Sequence, residues 1–163
     1  MAKKTLSILL VLVMVLGMLS GCSGATKEYT CKELTMTVPL IMSDESNSKD
    51  AEGFTFALST SKIAIFGLRE TFTQLGVDDS FTAKDYAEAV IEANGLDARV
   101  ISRSNEDYEY FRYNAPADDG TTFRYLVGVY KTYKAFWMVQ VTASIVDYEE
   151  ETFFDYLDSV KFD

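Results

Sequence analysis

Apolar and polar residues alternate along several stretches of this chain, and such alternation is the pattern of β-strands that bury one face. The first stretch, 34–38, ends at Pro39, which cannot donate to a β-ladder. A second covers 54–58. A third, 63–68, is apolar on both faces, which is typical of a strand in the middle of a sheet. The polar residues 43–50 between the first two predict a loop.

The period then changes to that of an amphipathic helix. Thr82 and Asp85 have the spacing of a capping box, and Asn94-Gly95 is a typical helix end, so a helix is predicted between them. A second helix is predicted near the C-terminus, with Asp147 as its cap and Glu150 at the box position. Its apolar residues repeat at helical spacing and are expected to face the sheet: Phe153, Phe154, Leu157 and Val160.

Four further strands are predicted between the two helices, at 100–101, 108–113, 122–131 and 135–146. The last two are joined by a short hairpin, and Gly128 predicts either a bulge or a helix packed closely above its strand. Short connections favour antiparallel pairing. The pattern therefore predicts an α+β fold, an antiparallel sheet of about six to seven strands flanked by two main helices.

Four segments in this order resemble the PsbP-like superfamily: TMTVP, TAKDYAEAVIEANG, FRYLVGVYKTYKAFWMVQVTAS and EEETFFDYLDSVKF. The resemblance covers nearly all of residues 33–163 and implies a PsbP-like α/β/α sandwich. Members include a photosystem II extrinsic subunit, a nuclear-transport factor that binds a small GTPase, and bacterial lipoproteins of unassigned role. No catalytic motif is part of the resemblance, so it implies a fold and transfers no functional residue to this chain.

The longest apolar run, within 6–19, falls short of the roughly 20 residues that span a bilayer. Two lysines precede it and small residues follow it, which predicts a secretory signal peptide over 1–21. Its ending, LSGC, resembles the lipobox of bacterial lipoproteins. That resemblance implies that the Cys22 thiol carries a diacylglyceryl group and that cleavage occurs just before it. The alternative is a retained membrane segment with an incidental cysteine.

Three parts of the chain follow from this interpretation: the signal peptide 1–21, a lipidated cysteine and tether at 22–32, and a single α+β domain at 33–163. The tether contains the polar stretch SGATKEY, which as a flexible chain reaches on the order of 15 Å. We therefore expect the domain to stand close to the extracytoplasmic face of a cell membrane. A Gram-positive-type envelope is favoured.

Acidic residues outnumber basic ones, 25 to 15, for a net charge of −10. Loss of Lys3 and Lys4 with the signal peptide changes the net charge from −10 to −12. The chain has no Lys/Arg cluster, which argues against binding nucleic acid and against flat adsorption on anionic lipid. The expected partners are the membrane, through the lipid on Cys22, and a protein at the envelope.

Residue types that several catalytic sites require are missing. The chain has no histidine, which excludes Ser-His-Asp and Cys-His catalysis and His-containing zinc sites. With Cys22 acylated, Cys31 has no partner for a disulfide and is expected to be structural, the alternative being a reactive thiol. The acidic stretches 44–47 and 118–120 lack EF-hand spacing, so neither a metal nor another cofactor is expected.

Aromatic residues crowd the stretch 108–137. The simplest interpretation is that they pack beneath the helices, and Trp137 is expected to be buried there. The functional interpretation is that some tyrosines line a groove together with two arginines, because both residue types are enriched at binding hot spots. The candidate binding residues are Tyr108, Tyr110, Arg112, Tyr113, Arg124 and Tyr133.

The leading hypothesis is a membrane-anchored extracytoplasmic lipoprotein that acts as a non-enzymatic binding or protein-interaction module. One alternative is a carboxylate-dependent envelope hydrolase, since an acidic chain contains many carboxylate pairs. Another is a structural or assembly factor beside a membrane complex. A pocket with a raised-pKa carboxylate opposite an ionised one would favour the hydrolase.

Overall fold

Two antiparallel sheets organise the part of the chain that the computed structural model describes, residues 24–104 and 107–163. In chain order the strands are Thr26–Cys31 (β1), Leu34–Pro39 (β2), Ser43–Asp44 (β3), Phe56–Ser59 (β4), Ile63–Thr71 (β5), Ile101–Ser102 (β6), Tyr108–Pro116 (β7), Thr122–Lys131 (β8), Ala135–Ser144 (β9) and Lys161–Phe162 (β10). The smaller sheet has the order β1-β2-β10 and the larger β3-β4-β5-β9-β8-β7-β6.

The helices of the described residues are Phe72–Leu75 (α1), Ala83–Asn94 (α2) and Glu150–Asp158 (α3), with a 3-10 turn at Lys49–Ala51. Within those ranges, none of them combines the length and apolarity that crossing a membrane requires. The predicted α+β fold, an antiparallel sheet of about six to seven strands with two main helices, is confirmed, and the structure adds the smaller three-stranded sheet.

The larger sheet carries a hydrophobic core on each face. On one face α2 buries Tyr86 and Val90 against side chains of β7, β8 and β9. On the other face α3 and the smaller sheet share a core with the opposite side chains of β8 and β9. Each of these two long strands is therefore buried on both sides, and β9 shows no exposed residue along its length.

The ends of α2 agree with the prediction. Thr82 Oγ1 accepts a hydrogen bond from the Asp85 backbone N–H, and the Asp85 carboxylate accepts one from the Thr82 N–H. Gly95 ends the helix with φ of 59°, in the left-handed region that glycine adopts at low cost. Both signals are local in the sequence, which is why the pattern identified them.

Gly128 allows α3 to pack closely on β8. A Cβ atom built at this position would lie 3.2 Å from Leu157 Cδ2 and 2.9 Å from the Tyr130 hydroxyl. The Tyr130 hydroxyl in turn donates to the Leu157 carbonyl oxygen at 2.7 Å. Of the two explanations that the sequence offered for this glycine, the structure shows the close-packed helix.

The predicted tether is wrong between residues 26 and 31. These residues form β1, which pairs with β2 from Thr26 opposite Pro39 to Cys31 opposite Leu34. The strand has no run of alternating large apolar residues, and its place comes from the backbone ladder to β2 and from Tyr29, whose ring lies 5.2 Å from that of Phe56. The signal peptide and Cys22 lie outside the described residues.

Other boundaries shift by smaller amounts. The predicted loop at 43–50 contains the two-residue β3 and the 3-10 turn. α3 begins two residues later than predicted, with Glu149 as its N-cap, because the Asp147 carboxylate is engaged by Lys62 Nζ and Ser144 Oγ, both at 2.9 Å. The single-turn α1 was not predicted, although Thr71 and Gln74 form a capping box there.

Candidate binding groove at the sheet edge

The outer edge of β7 is only partly covered by β6. The two residues of β6 pair with Glu109 and Tyr110, whereas β7 continues to Pro116. Among the described residues, no strand pairs with the outer side of 112–116, which we call the open edge. Its last residue is a proline, which lacks an N–H and is tolerated in a sheet at such an edge.

Apart from its terminal proline, the open edge has two residues whose backbone N–H and C=O face outward. The Arg103 N–H donates to the Tyr108 carbonyl oxygen, so Tyr108 turns its backbone groups away from β8. In an antiparallel strand every second residue does the same, which assigns Arg112 and Asn114 to the outer side. An edge of this kind can accept an extended segment as an additional strand.

A groove of about 440 Å³ lies beside this edge. One wall is the end of α2, where the left-handed Gly95 returns the chain toward the sheet and the Leu96 N–H donates to the Ile91 carbonyl oxygen at 3.0 Å. The described residues that line the groove come from this helix end and from β7 and β8: Gly95, Leu96, Asp97, Arg112, Tyr113, Asn114 and Arg124.

Arg112 is tied to the start of α3. Its Nη1 donates to both carboxylate oxygens of Glu150, at 2.5 and 2.7 Å, and half of its side chain is exposed. The Glu150 carboxylate lies in the first turn of α3, where the helix dipole also favours negative charge. Most of the Arg112 charge is therefore balanced within the protein.

Arg124 has a different environment. Its Nε donates to the neutral Asn114 Oδ1 at 3.0 Å, and its guanidinium lies 5.2 Å from the centre of the Tyr148 ring. Among the described residues no carboxylate is within ion-pair distance of it. Because a guanidinium has five N–H donors, Arg124 can still present donors to a carboxylate or phosphate in the groove.

Tyr113 and Tyr148 give this region a rigid, uncharged frame. The Tyr113 ring stacks on Tyr125 at 4.7 Å, and its hydroxyl donates to Gln140 Oε1 at 3.1 Å. Burial raises the pKa of Tyr113 well above its ordinary value. Burial and the Glu150 charge together raise the pKa of Tyr148 to about 12, although Arg124 and Arg112 oppose this shift. Both phenols are neutral at physiological pH.

Three of the six predicted binding residues meet at the groove, namely Arg112, Tyr113 and Arg124. The other three lie elsewhere. Tyr108 is buried, and its hydroxyl donates to the Asp158 carboxylate in the core beside α3. Tyr110 packs its ring edge-on against Phe154 at 5.0 Å, and Tyr133 is 86% exposed in the β8–β9 hairpin.

Several groove residues were not predicted. Asn114 directly follows the predicted strand 108–113. Because Asn114 is two residues after Arg112, the alternation of a strand could have placed both side chains on the same face. The turn Gly95–Asp97 carried only a helix-end signal, because its approach to β7 depends on how α2 packs.

Asp97 is the one carboxylate among the described residues that line the groove, so the lining offers no carboxylate pair. No cluster of three or more metal-ligating side chains occurs in the described residues.

Comparison with known proteins identifies the fold. The sequence matches no family profile, and no curated protein matches it. A crystal structure from Bacteroides thetaiotaomicron superimposes with a TM-score of 0.60 at 11% identity, covering 84% of this chain and 48% of that one. This chain thus spans about half of that protein. The solution structure of cyanobacterial PsbP (CyanoP) from Synechocystis superimposes with a TM-score of 0.53 at 11% identity, covering 89% of this chain and 99% of that one. The fold is PsbP-like.

Proposed function

We propose that this protein is a lipid-anchored, extracytoplasmic protein-interaction module without enzymatic activity. In this proposal an extended acidic segment of a partner protein binds in the groove and along the open edge. The observation that carries the proposal is Arg124, a half-buried guanidinium without a carboxylate partner among the described residues. It stands beside outward-facing backbone groups of the same sheet.

The anchor rests on the sequence LSGC and the apolar run before it. Two acyl chains hold a protein on a bilayer firmly, whereas one gives only marginal binding. Replacing Cys22 with serine removes the thiol that accepts lipid. The Cys22→Ser chain should therefore accumulate as an unprocessed precursor or leave the membrane, as immunoblots of membrane and soluble fractions will show. A mature-size Cys22→Ser band in the membrane fraction contradicts the anchor.

The groove chemistry favours an extended ligand that carries a carboxylate. The outward backbone groups of Arg112 and Asn114 can form ladder hydrogen bonds with any extended chain, which supply affinity without sequence selection. Arg124 adds selectivity for acidic ligands, because the planar guanidinium group matches the geometry of a carboxylate. The hydrolase alternative receives no support from the groove, because its described lining has a single carboxylate.

The test is site-specific photocrosslinking in the native membranes. A crosslinking residue replaces Asp97, which is exposed on the helix side of the groove, and in a control chain it replaces Tyr133. We expect a discrete crosslinked product from position 97 that position 133 does not give. Arg124→Gln should weaken that product several-fold, whereas Lys134→Gln, which removes one positive charge at a distant exposed position, should not. Equal products from both positions, or no effect of Arg124→Gln, contradict the proposed site.

A further inference from the structure

Four of the five exposed large apolar side chains of the described residues gather at one end of the domain. The four are Leu40 (55% exposed), Ile41 (62%), Ile145 (45%) and Val146 (87%), and the fifth is Tyr133 (86%). Ile145 and Val146 directly follow the end of β9, and Tyr133 precedes its beginning. Because β9 has ten residues at about 3.4 Å each, Tyr133 lies roughly 30 Å from the other end of the strand.

The strand register places Leu40 and Ile41 at the same end as Val146. Ser43, two residues after Ile41, pairs with Ser59 of β4, and Ser59 pairs with Ala64 of β5. Ala64 in turn pairs with Thr142, near the end of β9. The aliphatic residues therefore share one end of the domain, which we call the apolar end, and Tyr133 marks the opposite end.

The apolar end is also where the chain arrives from Cys22. The Leu40 N–H donates to the Ala25 carbonyl oxygen at 2.9 Å. Ala25 is only three residues after Cys22, and three residues span at most about 11 Å. β1 begins at Thr26 and is held along its length by β2, so the chain offers no longer tether between the anchor and the domain.

From this arrangement we infer that the apolar end rests on the lipid bilayer that holds the Cys22 acyl chains, with Leu40 and Ile41 inserted at its surface. This inference rests on the proposed lipid anchor. The occupant is lipid because an acylated Cys22 within about 11 Å of Ala25 brings the bilayer to this end before any other partner.

The polar groups at the apolar end are compatible with this contact. Lys27 Nζ donates to the Met42 carbonyl oxygen at 2.7 Å, beside Leu40 and Ile41, where a lysine can reach lipid headgroups. Lys62 neutralises Asp147 at 2.9 Å. The acidic hairpin 117–121 joins β7 and β8, so in the strand order of the larger sheet it lies on the far side of β9 from Leu40. The bilayer contact is therefore centred on Leu40 and Ile41.

The experiment measures the depth of single labels on the full, lipidated chain reconstituted in phosphatidylglycerol–phosphatidylethanolamine vesicles. In a Cys31→Ser background, Ile41, Val146 and the control Tyr133 are each replaced by cysteine and labelled with an environment-sensitive fluorophore. All three side chains are exposed in the fold, so the substitutions leave the core intact. Lipids with brominated acyl chains then report contact with the hydrocarbon by quenching.

We expect a blue-shifted emission and several-fold stronger quenching for the label at 41 than for the label at 133, with the label at 146 in between. Quenching at 41 as weak as at 133, in chains that still float with the vesicles, overturns the inference and leaves the anchor in place. A blue shift at 41 that disappears when the protein is diluted in lipid, without quenching, also overturns it and assigns the apolar end to a second copy. Chains that fail to float with the vesicles overturn the anchor itself, and this inference with it.

Discussion

At the scale of single residues, Glu33 links the two sheets. It lies in the turn between β1 and β2, and its Oε1 accepts hydrogen bonds from Arg69 Nε at 2.6 Å and from Trp137 Nε1 at 3.0 Å. Burial alone would raise the pKa of this carboxyl. The hydrogen bonds from Arg69 and Trp137 outweigh burial, so its pKa lies below the ordinary 4.5. One carboxylate thus serves as the acceptor for a charged and a neutral donor of the larger sheet.

The lowered pKa of Glu33 makes part of the stability depend on pH. Because folding favours the charged form, this contribution is complete above about pH 4.5 and is lost as the pH falls through the lowered folded pKa. Glu33→Gln should therefore reduce the unfolding free energy at pH 7, by about 1–3 kcal/mol, and should cost less at pH 3. Urea unfolding at both values measures the difference. The same loss at both pH values would contradict the assignment, since the other carboxylates are common to both chains.

Trp137 has the largest fully buried side chain of the described residues, with no exposed surface. It packs against Phe56 and Phe162, each at 6.3 Å between ring centres. Trp137→Ala should lower the unfolding free energy by about 3–5 kcal/mol, because it leaves a cavity where two sheets meet. Trp137→Phe is the matched control that retains a ring and should cost less. Red-shifted emission that is freely quenched in the folded wild-type protein is incompatible with this burial.

At the scale of elements, the strands and helices that bury alternate or periodic apolar residues could be predicted from the sequence. The hairpin of β8 and β9 and the helix α2 are of this kind, and their predicted limits lie within two residues of those observed. β1 could not be predicted in this way, because the residues TKEYTC are held mainly by backbone hydrogen bonds to β2. Pairing partners are a property of the fold, and the hydrophobic pattern of one strand does not report them.

The pairing of β4 with β5 depends on another glycine. Gly67 lies opposite Phe56, and a Cβ atom at Gly67 would lie 2.0 Å from Phe56 Cε1. The Phe56 ring is fully buried, so it has little room to move away. Gly67→Ala should therefore destabilise the protein by about 1–3 kcal/mol through overpacking. Gly24→Ala, whose Cβ meets nothing within 4 Å, is the control and should be close to neutral in the same thermal unfolding measurement.

At the scale of the whole molecule, the groove could be predicted only in part. Arg112, Tyr113 and Arg124 were identifiable by residue type within the aromatic hairpin region. Their meeting with Gly95–Asp97 depends on the packing of α2 against the sheet, which brings together residues that are distant in sequence. The same limitation explains why Tyr133, an equally plausible residue by type, lies far from the groove at the opposite end of β9.

The ionisable groups of the whole molecule also predict its response to metals and reductants. Once Cys22 is acylated, Cys31 is the remaining thiol, and burial raises the pKa of Cys31 above its ordinary value. At the end of β3, Asp44 Oδ1 accepts hydrogen bonds from the Ser46 N–H and hydroxyl, at 2.9 and 2.5 Å. A cation that bound through Oδ1 would compete with both donors. Carboxylates without organised spacing bind calcium weakly.

We therefore expect the thermal midpoint of the lipidated chain in detergent to stay within about one or two degrees when chelator, millimolar calcium or reductant is added. A ligand at 100 times its dissociation constant would raise the unfolding free energy by about 2.7 kcal/mol, which shifts the midpoint by several degrees in a domain of this size. Matched magnesium additions control for ionic strength. A shift of that size with calcium alone contradicts the prediction, and its loss in Asp44→Asn would locate the site. A downward shift with reductant would instead show that an intermolecular disulfide through Cys31 contributes to stability.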